Sequence, residues 1–266
     1  MIVDPKDACL FIPPGLKGFK MNLFNRIAQK VGNSIAYDFK ALEKLPDHIV
    51  PVVGCTPELR PIVTRWREIG RRWIYWDRGY ARRVFATDLP QGDNGGYYRW
   101  HVGAFQMNKI RHVRDDRWKS LKTEVWPWSK VGKHIVVAEP SPTYEKFHGI
   151  QGWTQRTVAE LKRLTDRPLV IRNKEMQRSG RKLHEDLKGA HCLVTHGSNA
   201  AVEAVIMGCP VFVDRTTSAA ALVGLSSLED VEYPWYPERQ PWLNSLAYCQ
   251  FDEDELVDGT LWRLIE

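Results

Sequence analysis

Short apolar blocks alternate with stretches of helical spacing along almost the whole chain. Apolar runs closed by Gly or Pro predict strands at 9–14 (CLFIPP), 48–54 (HIVPVVG) and 73–79 (WIYWDRG), and 97–102 (YYRWHV) reads as extended. Leu23, Phe24, Ile27, Ala28 and Val31 lie one helical turn apart. Residues 57–72 open on Pro57 and Glu58 and close in arginines, so two helices are predicted here. The Gly, Asp and Asn content of 86–96 makes it a loop. The second half is more regular. Strands at 134–140, 168–174, 192–197 and 209–214 are separated by helices at 153–165, 181–188 and 198–207. Such alternation is the pattern of a parallel sheet with crossover helices. Two further helices are predicted at 241–249 and 252–264. Pro127 and Gly132 mark 124–133 as the linker, which gives an N-terminal lobe at 1–130, a second lobe at 131–240 and helices at 241–266 that pack back on the first.

Composition narrows the class. A chain with 43% hydrophobic and 26% charged residues is an ordinary globular one, so disorder and coiled coil are excluded as main content. No apolar run approaches the roughly 20 residues of a membrane span. The opening MIVDPKDACLFIPPG has no basic lead-in to an apolar stretch and does not read as a secretory signal. Cys9, Cys55, Cys192, Cys209 and Cys249 are scattered without a CxxC, as in a reduced cytoplasmic protein. The net charge of +6 and the 11 tryptophans, many beside Arg or Lys, turn attention to polyanionic partners, although a solvated basic surface around structural tryptophans has the same composition.

The densest chemistry lies in CLVTHGSNAAVEAVIMGCPVFVD (192–214). A buried strand delivers His196, Gly197, Ser198 and Asn199 to the start of a helix. Gly197 permits a tight turn, and Ser198 or Asn199 can cap the helix. Free N–H groups at such a turn suit an anion such as a diphosphate, with His196 adding a hydrogen bond. Glu203, a turn further on, can accept from ribose hydroxyls or be an ordinary solvated helix residue. Gly208 ends the helix and Pro210 enters the next strand.

This order resembles the nucleotide-sugar donor motif of GT-B glycosyltransferases at His196, Gly197, Ser198, Asn199, Glu203, Gly208 and Pro210. The resemblance implies an α/β fold of two Rossmann-like lobes with the donor in the cleft. It also implies diphosphate contacts from His196, Ser198 and Asn199, and ribose contacts from Glu203. The strand order from about 133 to 224 extends it, and the loops near the donor would bring Ser141, Thr143, Arg172 and Lys174. Arg172 and Lys174, two apart on a continuing strand, would face one side and neutralise a pyrophosphate, or equally be surface cations at a strand end. The expected donor is a UDP-sugar, UDP-glucose foremost. No metal-ligand spacing is present, and no Walker-A sequence.

In the first half Asp77 closes an apolar strand. It is a candidate base for an acceptor hydroxyl or a turn Asp bonded to its own backbone. Tyr97, Tyr98, Arg99 and Trp100 follow and can stack on a base or form core. Basic runs at 65–83, with Arg78, Arg82 and Arg83, and at 109–122, with Lys109, Arg111 and Arg114, bracket Asp77 as a phosphate-backbone surface would. The DRGY, YYR and closing RQxWLNxLAYxQ segments are similar to small proteins of tailed bacteriophages. That resemblance implies transfer of a sugar to hydroxymethylated pyrimidines in duplex DNA. A stacked base is out of reach of the donor, so the base is expected to be flipped, and no basic amphipathic helix points to a membrane partner. The alternatives are a GT-B enzyme acting on a cell-surface or capsular saccharide, a sugar-nucleotide epimerase, and a non-enzymatic nucleic-acid-binding protein.

Overall fold

The computed structural model describes residues 3–13, 19–81 and 96–265, without the side chains of residues 19, 20, 177 and 178. Arg82, Arg83 and all of the 86–96 loop except Gly96 lie outside the described residues. The chain forms two compact units, Met1–Phe105 with Leu246–Glu266, and Gln106–Ser245.

The first unit carries β1 (Ala8–Phe11), α1 (Phe19–Val31), β2 (Ser34–Ala36), α2 (Phe39–Glu43), β3 (Val50–Val53), α3 (Arg60–Glu68), β4 (Ile74–Arg78) and β5 (Tyr98–Val102). The second carries α4 (Asp116–Ser120), β6 (His134–Ala138), α5 (Pro142–His148), α6 (Trp153–Leu164), β7 (Leu169–Arg172), α7 (Lys174–Arg178), α8 (Leu183–Leu187), β8 (Ala190–Thr195), α9 (Ala200–Ile206) and β9 (Val211–Val213). After α10 (Gln240–Ala247) the chain returns to the first unit as β10 (Gln250–Phe251), α11 (Glu253–Val257) and α12 (Thr260–Leu264). No described helix is long and apolar enough to cross a membrane.

The first unit's sheet has the order β10-β5-β4-β3-β1-β2. Its β1 to β4 neighbours are parallel, and β5 and β10 add antiparallel pairs. Every residue of β1 and β3 is buried, as in strands covered on both faces. Alternate side chains go to opposite layers. Leu10, Val52, Ile74, Trp76 and Trp100 meet α1 and Trp262 on one face. Cys9, Phe11, Val53 and Tyr75 meet Ile62, Val63 and Trp66 of α3 on the other. The single helix expected at 252–264 is two, because Gly259 adopts φ 86° between α11 and α12. A capping box of Asp252 and Glu255 starts α11.

The second unit's sheet is parallel throughout, in the order β7-β6-β8-β9. Ile135, Val137, Cys192, Val194 and Phe212 form its core with Leu161 of α6. The chain enters at β6, crosses to β7 on one side, then returns to β8 on the other. The loops after β6 and β8 therefore diverge, which makes their C-terminal ends the switch point where ligands of open parallel sheets bind. Thr195 Oγ1 donates to the Ala138 carbonyl at 2.7 Å and ties these two strand ends together.

The expected linker at 124–133 is instead a stitched part of the second unit. Trp126 N–H bonds to the Ile206 carbonyl at 2.9 Å, and Ser129 N–H to that of Gly208 at 2.7 Å. Gly208 has φ 75°, and a Cβ there would collide with the Pro127 carbonyl. Arg239 holds the Val205 and Trp126 carbonyls and stacks on Trp128 at 4.2 Å. Residues 106–130 accordingly group with the second unit.

Candidate functional site at the β6–β8 switch point

The site is built by three loops at the C-terminal ends of β6, β8 and β9. After β6, the Ser141 hydroxyl accepts from Tyr144 N–H at 3.2 Å and Pro142 occupies the first turn, so α5 starts here. The spacing of α5 puts Tyr144 and His148 on one face, with ring centroids 4.1 Å apart. Both lie against His196, at 5.8 and 5.9 Å, and Trp153 meets it edge-on at 6.2 Å.

His196 follows β8 directly. Its Nδ1 is 3.0 Å from Thr217 Oγ1 and 3.3 Å from the Tyr144 hydroxyl. Its carbonyl accepts from Asp214 N–H at 3.0 Å, which fixes the turn after β9 beside it. That turn closes on Asp214, whose Oδ1 accepts from Thr216 N–H at 2.9 Å, Thr216 Oγ1 at 2.7 Å, and both Thr217 N–H and Oγ1 at 3.0 Å. Burial pushes the Asp214 carboxyl up, but the Thr216 and Thr217 hydrogen bonds and nearby His196 outweigh it and hold the pKa below its ordinary value. Burial likewise lowers the His196 pKa, and Asp214 opposes that shift without cancelling it.

Gly197 is buried with no room for a side chain, because a Cβ would strike the Tyr144 hydroxyl and the Thr217 carbonyl. Ser198 Oγ accepts from Ala200 N–H at 3.2 Å, while Asn199 takes the cap position with no side-chain cap bond. Glu203 is half-buried on α9, a turn beyond. The HGSN turn, Glu203, Ser141 and Thr143 are thus carried on loops and helices at one edge of one sheet. Thr143 is exposed.

Arg172 does not belong to this group. Its guanidinium is bound to Asp186, which is fully buried and also meets Arg181, and it donates to the Arg181 carbonyl at 2.8 Å. The expected shared face with Lys174 fails because β7 ends at Arg172 and Lys174 already starts α7, where it is exposed. No group of three or more His, Cys, Asp or Glu among the described residues is arranged to hold a metal.

In the first unit Asp77 Oδ2 faces Arg99 at 2.9 Å and the Tyr75 hydroxyl at 3.3 Å, and its Oδ1 accepts from Arg78 N–H at 2.8 Å. The stacking roles expected of Tyr98, Arg99 and Trp100 are corrected by burial: they are 9%, 5% and 2% exposed. Trp100 packs in a ring cluster with Trp76, Phe24 and Trp262. Tyr97 and Arg78 are half-buried. Lys109, Arg111 and Arg114 belong to the second unit. Lys109 and Arg114 are exposed there, Arg114 against Asp116 at 3.0 Å.

Sequence reasoning missed Tyr144, His148, Trp153, Asp214 and Thr217. Tyr144 and His148 carry a readable signal, four apart just after a Ser-Pro helix start. Asp214 with Thr216 and Thr217 has the spacing of an Asx turn at a strand end.

No protein-family model matches the sequence, and no curated protein does. Among solved structures, the chain is similar to the β-Kdo 2,7 transferase of KpsC from Thermosulfurimonas dismutans, with a TM-score of 0.51 and 12% identity, over 96% of this chain and 99% of that one. It is also similar to the β-Kdo 2,4 transferase of the same KpsC, with a TM-score of 0.44 and 11% identity, over 92% and 98%. With the sheet orders above, the first likeness gives the fold: α/β, GT-B-like, with two Rossmann-like lobes.

Proposed function

We propose that the protein is a glycosyltransferase that binds a nucleotide-activated sugar at the His196 turn and passes the sugar to a hydroxyl of a saccharide. The observation that carries this reading is the placement of His196, Ser198, Asn199 and Glu203 at the switch point of a parallel sheet, around a glycine with no space for a side chain. Hydrogen-bond donors come first along the chain and the carboxylate a turn later, which suits a phosphate followed by a ribose. His196, Ser198 and Asn199 contact the phosphate, Glu203 accepts from ribose hydroxyls, and Ser141 and Thr143 complete the rim. UDP-glucose is the first donor to test.

In the transfer, the bond from the anomeric carbon to phosphate oxygen breaks and its electron pair stays on phosphate. The acceptor oxygen bonds the anomeric carbon and loses its proton. A general base or solvent takes that proton; Asp77, its side chain 35% exposed and held by Arg99 and Tyr75, is the carboxylate to test for the role through the turnover of Asp77→Asn.

A saccharide is preferred to DNA for two reasons. Burial of Tyr98, Arg99 and Trp100 withdraws all but half-buried Tyr97 of the side chains that would receive a flipped base. A structural neighbour with a matching fold is by its name a Kdo transferase. The test is mass spectrometry after incubation with a panel of nucleotide-sugars and two acceptor sets, Kdo-terminated and neutral oligosaccharides, and duplex DNA with hydroxymethylated pyrimidines. The expected result is nucleotide release with one sugar added to a saccharide. Mass gain on DNA alone would move the acceptor to nucleic acid. No transfer, together with no nucleotide-sugar binding by calorimetry, would overturn the donor site.

A further inference from the structure

Three groups at the site form a chain that phosphate recognition alone does not require. The Asp214 carboxylate can only accept hydrogen bonds, and the Thr217 hydroxyl lies 3.0 Å from it. The same hydroxyl lies 3.0 Å from His196 Nδ1. A hydroxyl has one proton, and a charged acceptor takes it in preference to a neutral ring nitrogen. We propose that Asp214 and Thr217 are positioning residues that set the tautomer of His196: Thr217 gives its proton to Asp214 and accepts from Nδ1–H, which leaves the lone pair of the uncharged ring on Nε2.

The surroundings agree with a fixed ring. Tyr144 and His148 of α5 and Asp214 after β9 are the titratable groups against it, and Trp153 of α6 closes its edge. The Tyr144 hydroxyl is a second, longer partner of Nδ1. Among the described residues, the hydrogen bonds of the ring are at Nδ1.

The consequence rests on the donor reading above. A diphosphate diester has no proton to offer the Nε2 lone pair. Its charge therefore favours a proton on Nε2, taken from the acid form of the buffer, and the ring becomes a charge-assisted donor whose positive charge Asp214 balances through Thr217. Donor binding then takes up a proton at His196.

The tautomer can be read without any ligand. Long-range proton–nitrogen NMR of the free, 15N-labelled protein at about pH 8, above the ordinary histidine range, is expected to show His196 protonated on Nδ1. Thr217→Val, which keeps the shape, moves the proton to Nε2, and Thr217→Ser keeps it on Nδ1. An Nε2–H ring in the wild type, or an identical spectrum in Thr217→Val, overturns the proposal. Calorimetry with UDP-glucose, whose diphosphate does not titrate near neutrality, follows in two buffers of different ionisation heat. Uptake of up to about one proton is expected in the wild type and none in His196→Gln. Equal uptake in both overturns the consequence. An Nδ1–H ring in a protein that binds no nucleotide-sugar leaves the tautomer standing and removes the donor reading alone.

Discussion

Asp77 and Arg99 stand directly opposite each other on antiparallel β4 and β5, with carboxylate and guanidinium 2.9 Å apart. Arg99 also lies over the Tyr80 ring at 5.2 Å and donates to the Arg78 carbonyl at 3.1 Å. Burial works against its charge, and Asp77 with the Tyr80 and Tyr75 hydroxyls outweighs that effect, so its pKa is raised. Asp77→Ala would leave this cation buried without its counter-ion. Losing one partner of a fully buried pair costs roughly 3–5 kcal/mol, and Asp77 is partly open to water, so about 2–3 kcal/mol is expected here. Urea denaturation measures it. Asp77→Ala combined with Arg99→Met should recover part of the loss, and a single variant as stable as the wild type would count against the pair.

Gly197→Ala is expected to disable donor binding while leaving most of the fold intact. The added methyl meets the Tyr144 hydroxyl and the Thr217 carbonyl, and the carbonyl cannot move without shifting the turn. Overpacking of this kind costs about 1–3 kcal/mol. Calorimetry with UDP-glucose should show binding weakened roughly ten-fold or more, an effect of about 1.4 kcal/mol upward. Unchanged affinity would mean that the turn does not touch the donor.

The His196 and Asp214 shifts have opposite chemical meaning but the same sign on stability. His196 is held below its ordinary 6.5, so on acidification the unfolded chain gains the proton first. Stability therefore declines as pH falls from 6.5 to the folded value. Asp214, held below 3.8, contributes fully above 3.8 and loses its contribution as pH falls through its folded value. Denaturant midpoints between about pH 8 and about pH 5 should fall more in the wild type than in His196→Gln. Superimposable profiles would show that His196 is not the titrating group.

Glu203 and Arg172 should separate binding from folding. Glu203→Ala removes one or two hydrogen bonds to ribose, about 1–3 kcal/mol of UDP-glucose affinity, with little change in the denaturation midpoint. Arg172→Met exposes no ligand contact but leaves Asp186, at 0% side-chain exposure, with Arg181 alone. A loss of about 3 kcal/mol in stability is expected, with near-normal affinity in the folded fraction. The reverse outcome, stability lost from Glu203 and affinity from Arg172, would return Arg172 to the donor site.

The strands and the position of the HGSN turn were legible because they rest on local pattern. The apolar runs at 134–140 and 192–197 became β6 and β8, and the HGSN turn lies at the end of β8 as the spacing implied. What was illegible depends on contacts far apart in sequence. Arg172 reads as a free cation until Asp186 folds under it. YYRWHV reads equally as a stacking surface and as core, and only β10 and Trp262 pairing against it decide for core. Tyr144 and Thr217 converge on His196 from 52 and 21 residues away. The 124–133 segment carries Pro and Gly as linkers do, yet its glycine serves close packing, since a Cβ at Gly132 would strike the Ala190 carbonyl.

The first unit is discontinuous in the chain, and this bears on how the protein is made. Its sheet ends on β10, whose Gln250 side chain accepts from Tyr80 and Ala81 N–H at 2.8 and 3.0 Å, and Trp100 N–H bonds to the Cys249 carbonyl. The contiguous second unit is synthesised whole before these residues are added. The lobe translated first is thus the lobe completed last. Until then β5 presents a bare edge and Trp100 lacks its Trp262 neighbour, so the nascent chain is most open to misassociation late in synthesis.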